Sequence, residues 1–241
     1  MKGLYLTINR PDKANSLTSE LLDQIRSAYE GAIREPDIRY VVLAGNGKHL
    51  CAGADLEWMR SSAKLDREGN VKEAERLSAM FQAIADCPLP TIVLAKGRVY
   101  GGAVGLIAAC DVVISDEGSI FCLSEARLGI IPAVIAPYLL GRISVGRLRE
   151  LTITSRELNA SEAHSLGLSD VVTATLDHAL ESELTQIKRS GPEAIALMKS
   201  LLRSGATADH CKEAIADARS SQQGKAGLDA FFAKSKPEWA R

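Results

Sequence analysis

The sequence predicts an α/β fold followed by a helical tail, and three observations carry that expectation. Short apolar runs alternate with amphipathic stretches over the first half of the 241 residues. After about residue 132 strand signals nearly vanish, SDVVT (169–173) being the clear exception. Hydrophobic residues make up 46% and charged residues 24%, an ordinary soluble globular composition with material for a sizeable core.

Each element has its own reason. GLYLTI (3–8) reads as a strand stopped by Asn9-Arg10-Pro11. From Leu17 to about Arg34, Leu21, Leu22, Ile25, Ala28, Tyr29 and Ala32 recur at three- and four-residue steps, the period of an amphipathic helix. Thr18 or Ser19 would cap it. YVVLAG (40–45) and TIVLAKG (91–97) read as buried strands. A polar helix is expected around 68–86, with a charge-rich mobile flap at 58–70 before it. GGAVGLIAACD (101–111) reads as a very apolar helix, and VVIS (112–115) and SIFCL (119–123) as short strands. Ser190-Gly191-Pro192-Glu193 reads as a capping box opening a helix through Leu202. Further helices are expected over about 207–222 and 227–236. The break at Ser190 separates a core, residues 1–190, from a helical region, 191–241.

Several function classes drop out. A formal net charge of −1 argues against nucleic-acid binding, which draws on a basic surface. The longest apolar stretches, GAVGLIAAC (102–110) and GIIPAVIAPYLL (129–140), fall short of the about 18–20 residues of a membrane span. The opening MKGLYLTINRPDK turns polar too soon for a secretory signal or transit peptide. Five cysteines without C-x-x-C spacing read as reduced core thiols of a cytoplasmic protein, and neither they nor the four histidines have metal-ligand spacing. The phosphate-loop, dinucleotide and serine-hydrolase motifs are missing.

Two glycine-bearing turns carry the chemistry. HLCAGADLEW (49–58) and RVYGGAVGL (98–106) each join a buried strand to a helix start. Small residues permit close approach to the backbone, and a helix start presents unpaired N–H groups. Two such turns side by side would form an oxyanion hole for a thioester oxygen that becomes an enolate. Glu125 sits among Phe121, Leu123, Leu128, Ile130 and Ile131. An acid in such company has its charged form disfavoured, as a proton-transferring base requires.

Taken in order, NRPDKANSL (9–17), LCAGADLEWM (50–59), GRVYGGAVGLIAACDVVIS (97–115), FCLSEARLGIIPA (121–133), LNASEAHSLGLSDVV (158–172) and FFAKSKPEW (231–239) resemble the enoyl-CoA hydratase/isomerase, or crotonase, superfamily. The resemblance covers almost the whole chain. It implies a crotonase-like spiral of ββα units with a helical C-terminal region used for trimerisation, as a homotrimer or a hexamer of two trimers. It implies an acyl-CoA thioester as partner, no cofactor beyond the coenzyme A moiety and no metal. Glu125 would be catalytic, with the N–H groups of Ala54 and Gly102 as the oxyanion hole. Lys13, Ala14, Ala52, Asp55 and Leu56 would lie along the coenzyme, and Lys234 or Lys236 would reach its phosphates from a neighbouring subunit. Trp58, Gly105, Ile131, Pro132 and Ala133 would line the acyl pocket.

The sequence departs from the family pattern at three places. Typical hydratases carry a first catalytic glutamate three residues after the oxyanion glycine, where this chain has Gly105. The usual IPGGGGTQRL segment is IPAVIAPYLL here (131–140), bulkier and more apolar. Family members usually have about ten more residues forming a strand before TINRP; either an edge strand is absent here, which would leave a sheet edge less protected, or the start codon was placed late. The motif combination resembles methylglutaconyl-CoA hydratase-like members and, less closely, polyketide β-branching dehydratases, both acting on branched chains with a distal carboxylate. Arg60, Lys64 and Arg142 are candidates to meet that carboxylate. Hydration is the favoured activity. Isomerisation of a 3-enoyl to a 2-enoyl thioester by Glu125 alone, and non-catalytic acyl-CoA binding, are the alternatives.

Overall fold

The computed structural model describes residues 2–240. They form two compact units, one of residues 2–87 and 91–179, the other of 88–90 and 180–240. The division falls ahead of the Ser190–Pro192 break.

The first unit holds eight strands: β1 (Lys2–Ile8), β2 (Ile38–Gly45), β3 (Thr91–Ala95), β4 (Arg98–Tyr100), β5 (Val112–Asp116), β6 (Ile120–Cys122), β7 (Leu158–Asn159) and β8 (Val171–Thr173). Its helices are α1 (Ser19–Arg34), α2 (Leu56–Ser62), α3 (Arg67–Asp86), α4 (Gly102–Ala109), α5 (Ala136–Leu140), α6 (Val145–Thr154) and α7 (Ala160–Leu166). The next helix, α8 (Leu176–Ile187), begins in this unit. A five-stranded parallel sheet runs β1-β2-β3-β5-β8, and a smaller sheet runs β4-β6-β7. In the larger sheet Leu43 pairs with Val93 and Val93 with Val113, all three fully buried, and the central strands β2, β3 and β5 are accordingly near-continuous apolar runs. β1 lies at one edge, paired with β2 alone.

The chain repeats one manoeuvre. β3 lies in the large sheet, β4 in the small one, and α4 follows; β5 and β6 repeat the step and lead into a 3-10 turn at Glu125–Leu128. β2 does the same through Cys51, which bridges to Val99 of β4 before α2 begins. These are the ββα units expected above, and each helix start is thereby delivered to the end of the small sheet.

The helices form where their apolar period falls on the sheet. α1 buries Leu22, Ile25, Tyr29 and Ala32, and Thr18 rather than Ser19 caps it, accepting the Leu21 N–H at 3.3 Å. α3 buries Met80, Phe81 and Ile84. α4 is apolar all round because seven of its eight residues are buried. Against the expected flap over 58–70, α2 and α3 occupy most of that segment, with Asp66 capping α3 through the Gly69 N–H at 2.8 Å.

The second unit carries α9 (Pro192–Arg203), α10 (Ala208–Ser220) and α11 (Gln222–Phe232). The expected capping box at Ser190 does not form. Gly191 is the cap residue of α9, and Gln223 Oε1 instead takes the N–H groups of Glu193 (3.0 Å) and Ala194 (3.4 Å). None of these three helices has a fully buried residue; Leu202, Ile215, Leu228, Phe231 and Phe232 are exposed. No helix among the described residues is long and apolar enough to cross a membrane.

Candidate active site

The first turn is held by a bridge between Leu17 and Ala54. The Leu17 N–H donates to Gly53 O and the Asp55 N–H to Leu17 O, each at 2.8 Å. A parallel bridge of this kind uses the flanking residues' groups, so the N–H of Ala54 faces the opposite side and has no protein acceptor among the described residues. Asp55 locks the turn. Its carboxylate accepts from Arg10 Nη2 (2.9 Å), Ser16 Oγ (3.1 Å) and the Glu57 N–H at the start of α2 (2.9 Å). Burial opposes ionisation of Asp55, but these donors outweigh it and its carboxyl stands below the ordinary value.

The second turn begins α4. Gly101 donates to Cys122 O at 2.9 Å, which ties the turn to β6. Its φ of 54° and ψ of −121° belong to glycine alone. The N–H of Gly102, the first residue of α4, has no protein acceptor among the described residues either.

The same tie sets Glu125 against Gly101, because Glu125 follows Cys122 by one short turn. A Cβ on Gly101 would stand 3.3 Å from Glu125 Oε1. Glu125 Oε2 is buried and has no hydrogen-bond partner. Burial raises the Glu125 pKa above the ordinary 4.5, its own N–H opposing the shift. A cavity of about 170 Å³ brings Ala54, Gly102 and Glu125 together. Its wall is Leu17, Trp58, Leu77 and the segment Ile130–Ile135. Glu125 is the one charged residue in that lining. Two free amides and a desolvated acid around an apolar space can polarise a carbonyl and move a proton beside it.

Trp58, Ile131, Pro132 and Ala133 therefore line the cavity as expected. The Trp58 indole N–H donates to Glu73 Oε2, which also accepts from Ser19 Oγ at 3.0 Å. Gly105 does not line the cavity. It is buried on α4 beneath Phe81 and Ile135, because that helix packs too closely there for any side chain. Leu17, Leu77, Val134 and Ile135 line it beyond the residues named from the sequence, the apolar IPAVIAPYLL run being the one signal for the last two.

The Lys13–Ala14 loop reaches the first turn, since the Ala52 N–H donates to Ala14 O at 3.0 Å. Lys13 is exposed, Ala14 and Ala52 are half-buried, and Leu56 is 72% exposed. Asp55 is buried, and its N–H, its carbonyl (to the Met59 N–H) and its carboxylate all have partners within the protein, so it builds the turn. Lys234 and Lys236 are exposed on the second unit. Arg142 is committed elsewhere, to Cys110 O (2.7 Å), Asp111 O (3.0 Å) and Asp170 (3.2 Å), at the far end of α4 from Gly102. Arg60 and Lys64 are exposed on and after α2. His49 Nδ1 accepts the Arg98 N–H at 3.0 Å. Burial pushes the Cys51 thiol up to about 12, so it is packing and no nucleophile. No group of three or more metal-binding side chains exists among the described residues.

The fold and this arrangement define an enzyme of the crotonase class. The chain belongs to the enoyl-CoA hydratase/isomerase family, whose model matches residues 4–241. An enoyl-CoA hydratase crystal structure from Shewanella pealeana superposes with a TM-score of 0.94 at 35% identity, over 99% of this chain and 94% of that one. The bacillaene synthase dehydratase PksH of Bacillus subtilis is 28% identical over 83% of this chain and 76% of its own length. A peroxisomal Δ(3,5)-Δ(2,4)-dienoyl-CoA isomerase of Arabidopsis thaliana is 29% identical over 82% of this chain and 76% of its own.

Proposed function

We propose that this protein is an enoyl-CoA hydratase that adds water across the 2,3 double bond of an acyl-CoA thioester, using one acid and two main-chain amides. The observation that carries the reading is the buried, unpartnered Oε2 of Glu125 in a cavity shared with the free N–H groups of Ala54 and Gly102. The two amides donate to the thioester oxygen. Glu125 takes a proton from water, whose oxygen bonds to the β-carbon. The electron pair of the double bond moves to the thioester oxygen as an enolate, held by the two amides. Protonated Glu125 then delivers its proton to the α-carbon, which restores the carboxylate and the carbonyl. Each amide supplies about 2.7–4 kcal/mol in comparable holes. No cofactor beyond coenzyme A enters the scheme.

Lys13, Ala14, Ala52 and Leu56 border the first turn and would carry the coenzyme, with Lys234 or Lys236 of a neighbouring copy at its phosphates. The acyl chain would be short and branched, of the 3-methylglutaconyl kind, with Arg60 or Lys64 as candidate partners for its distal carboxylate. A substrate carboxylate would then help hold the water that a second glutamate holds in typical hydratases. The apolar faces of α9–α11 support assembly as a homotrimer or a hexamer.

Isomerisation is the second reading, favoured by a cavity wall that is hydrocarbon apart from Glu125. A single acid shuttling a proton between two carbons needs no held water. Absorbance separates the two: hydration removes the conjugated thioester signal, whereas isomerisation of a 3-enoyl substrate creates it. The test is a panel of crotonyl-, 3-methylcrotonyl-, 3-methylglutaconyl- and 3-hexenoyl-CoA with wild type and Glu125→Gln. Loss of signal on the first three, absent in the variant, supports hydration. Normal turnover by Glu125→Gln overturns the scheme, and binding without turnover of any thioester makes the protein an acyl-CoA binder.

A further inference from the structure

Gly105 and Ile135 meet behind the acyl cavity. A Cβ on Gly105 would overlap Ile135 Cγ2 and lie 2.8 Å from Phe81 Cζ. Ile135 is 2% exposed, yet it lines the cavity beside Glu125, so one side chain touches both α4 and the acyl space. Its backbone is anchored, its carbonyl accepting the N–H groups of Tyr138 (3.2 Å) and Leu139 (3.1 Å) as α5 begins. Phe81 is held in turn by Tyr138, with ring centroids 5.8 Å apart. A β-branched side chain on an anchored backbone has few rotamers with which to move aside.

We propose that Ile135 is the specificity-determining residue of this site: its side chain, seated on Gly105 through the γ2 methyl, closes the cavity floor, and acyl chains are accepted or refused by how far they reach toward it. The inference rests on the acyl-thioester reading above. The longer the acyl chain, the more closely it approaches this floor. The absence of a side chain at position 105 is what lets Ile135 sit there, so the two residues act as a pair. A side chain at 105 fits only after Ile135 is cut back.

The test uses the full chain and unreactive saturated thioesters, so that it reads binding and not turnover. Dissociation constants for butyryl-CoA and hexanoyl-CoA are measured by titration calorimetry for wild type, Ile135→Val and Ile135→Ala. The expected result is a rise of about tenfold in the hexanoyl-over-butyryl preference in Ile135→Ala, in line with what methylene-sized changes do in apolar pockets, and a smaller rise in the same direction in Ile135→Val. Melting of Gly105→Ala, Ile135→Ala and the double variant gives the coupling. The double variant is expected to melt above Gly105→Ala alone, because removing Cγ2 relieves the nearest overlap and leaves only the Phe81 ring to shift. If Ile135→Ala does not fold, the Val variant decides. An unchanged preference in the folded Ile135 variants, with wild type binding both thioesters, overturns the inference alone. Wild type binding neither thioester overturns the ligand reading as well. Binding without enoyl turnover removes the hydratase scheme and leaves the preference ratio to decide on Ile135.

Discussion

The Glu125 carboxylate rests on Gly101, whose missing Cβ would stand 3.3 Å from Oε1 in a backbone conformation that L-residues avoid. The turn that aims Gly102 at the cavity therefore also leaves the space in which Glu125 lies. Gly101→Ala is expected to cost about 1–3 kcal/mol of stability through backbone strain. It should also lower kcat about 10²-fold, since a displaced acid and a re-aimed amide lose their common target. Urea unfolding and steady-state kinetics check the two effects separately.

Glu125→Gln is expected to lower kcat by about 10²–10⁴-fold while saturated acyl-CoA still binds. The pH profile of wild type should show a limb in which kcat/KM falls with falling pH, placed above the ordinary glutamate value of 4.5 because burial disfavours the carboxylate. The sign for stability follows from the same shift. A raised folded pKa means that the charged form is tolerated worse in the folded chain than in the unfolded one. Stability from this group is full below about pH 4 and declines as pH rises through the folded pKa. Glu125→Gln should thus melt higher than wild type at about pH 7.5 and equal to it at about pH 4. A variant melting below wild type at neutral pH would show that the carboxylate holds the fold together.

Asp55 acts by holding Arg10, Ser16 and the start of α2. Asp55→Ala leaves the Arg10 guanidinium, 31% exposed, without its partner and removes a helix cap. A loss of about 1–3 kcal/mol is expected, below that of a wholly buried pair because Arg10 keeps some water. The folded pKa of Asp55 is depressed, so its contribution is present at neutral pH and fades as pH falls below about 4. The wild type–variant difference in melting temperature should shrink across that range. KM for an acyl-CoA should rise with the loss, since the Ala54 amide loses its support.

The thiols make a simple probe of packing. Cys51, Cys87, Cys110 and Cys122 are buried, and Cys211 is half-buried. Native protein is expected to titrate at Cys211 with a thiol reagent, the other four reacting only on unfolding. Fast labelling of Cys51 would contradict the assigned packing, since burial holds that thiol at about 12.

Phe231 and Phe232 are each 74% exposed on α11 and stack edge-on at 5.7 Å. Two aromatic rings left in water call for a covering surface. Sedimentation of wild type should give a trimer or a hexamer, and Phe231→Asp with Phe232→Asp should give smaller species. Monomeric wild type would remove the proposed assembly.

Legibility from the sequence followed range. YVVLAG and TIVLAKG announce β2 and β3 because a strand buried on both faces needs an unbroken apolar run. β4 was missed: Arg98–Tyr100 is three residues long, and its pairing with β6 spans more than twenty positions. Glu125 and the two turns were legible from their motifs. The commitment of Asp55 to Arg10 across 45 positions leaves no local trace. The resemblance puts Gly105 in the pocket wall, where typical hydratases carry a glutamate, whereas the structure packs it beneath Ile135 and Phe81.

The sequence by itself determined the α/β order, the helical tail, the two amide-bearing turns and the single acid, since each is written in contiguous residues whose apolar period or small side chains act locally. The tertiary structure decided which of these meet. Leu17, Leu77 and Ile135 come to one wall, and Gly101 comes under Glu125, only because the two sheets stack successive ββα turns and bring distant segments into contact. Close packing of α4 then settled that Gly105 lies against Ile135 and Phe81, with no room there for a side chain.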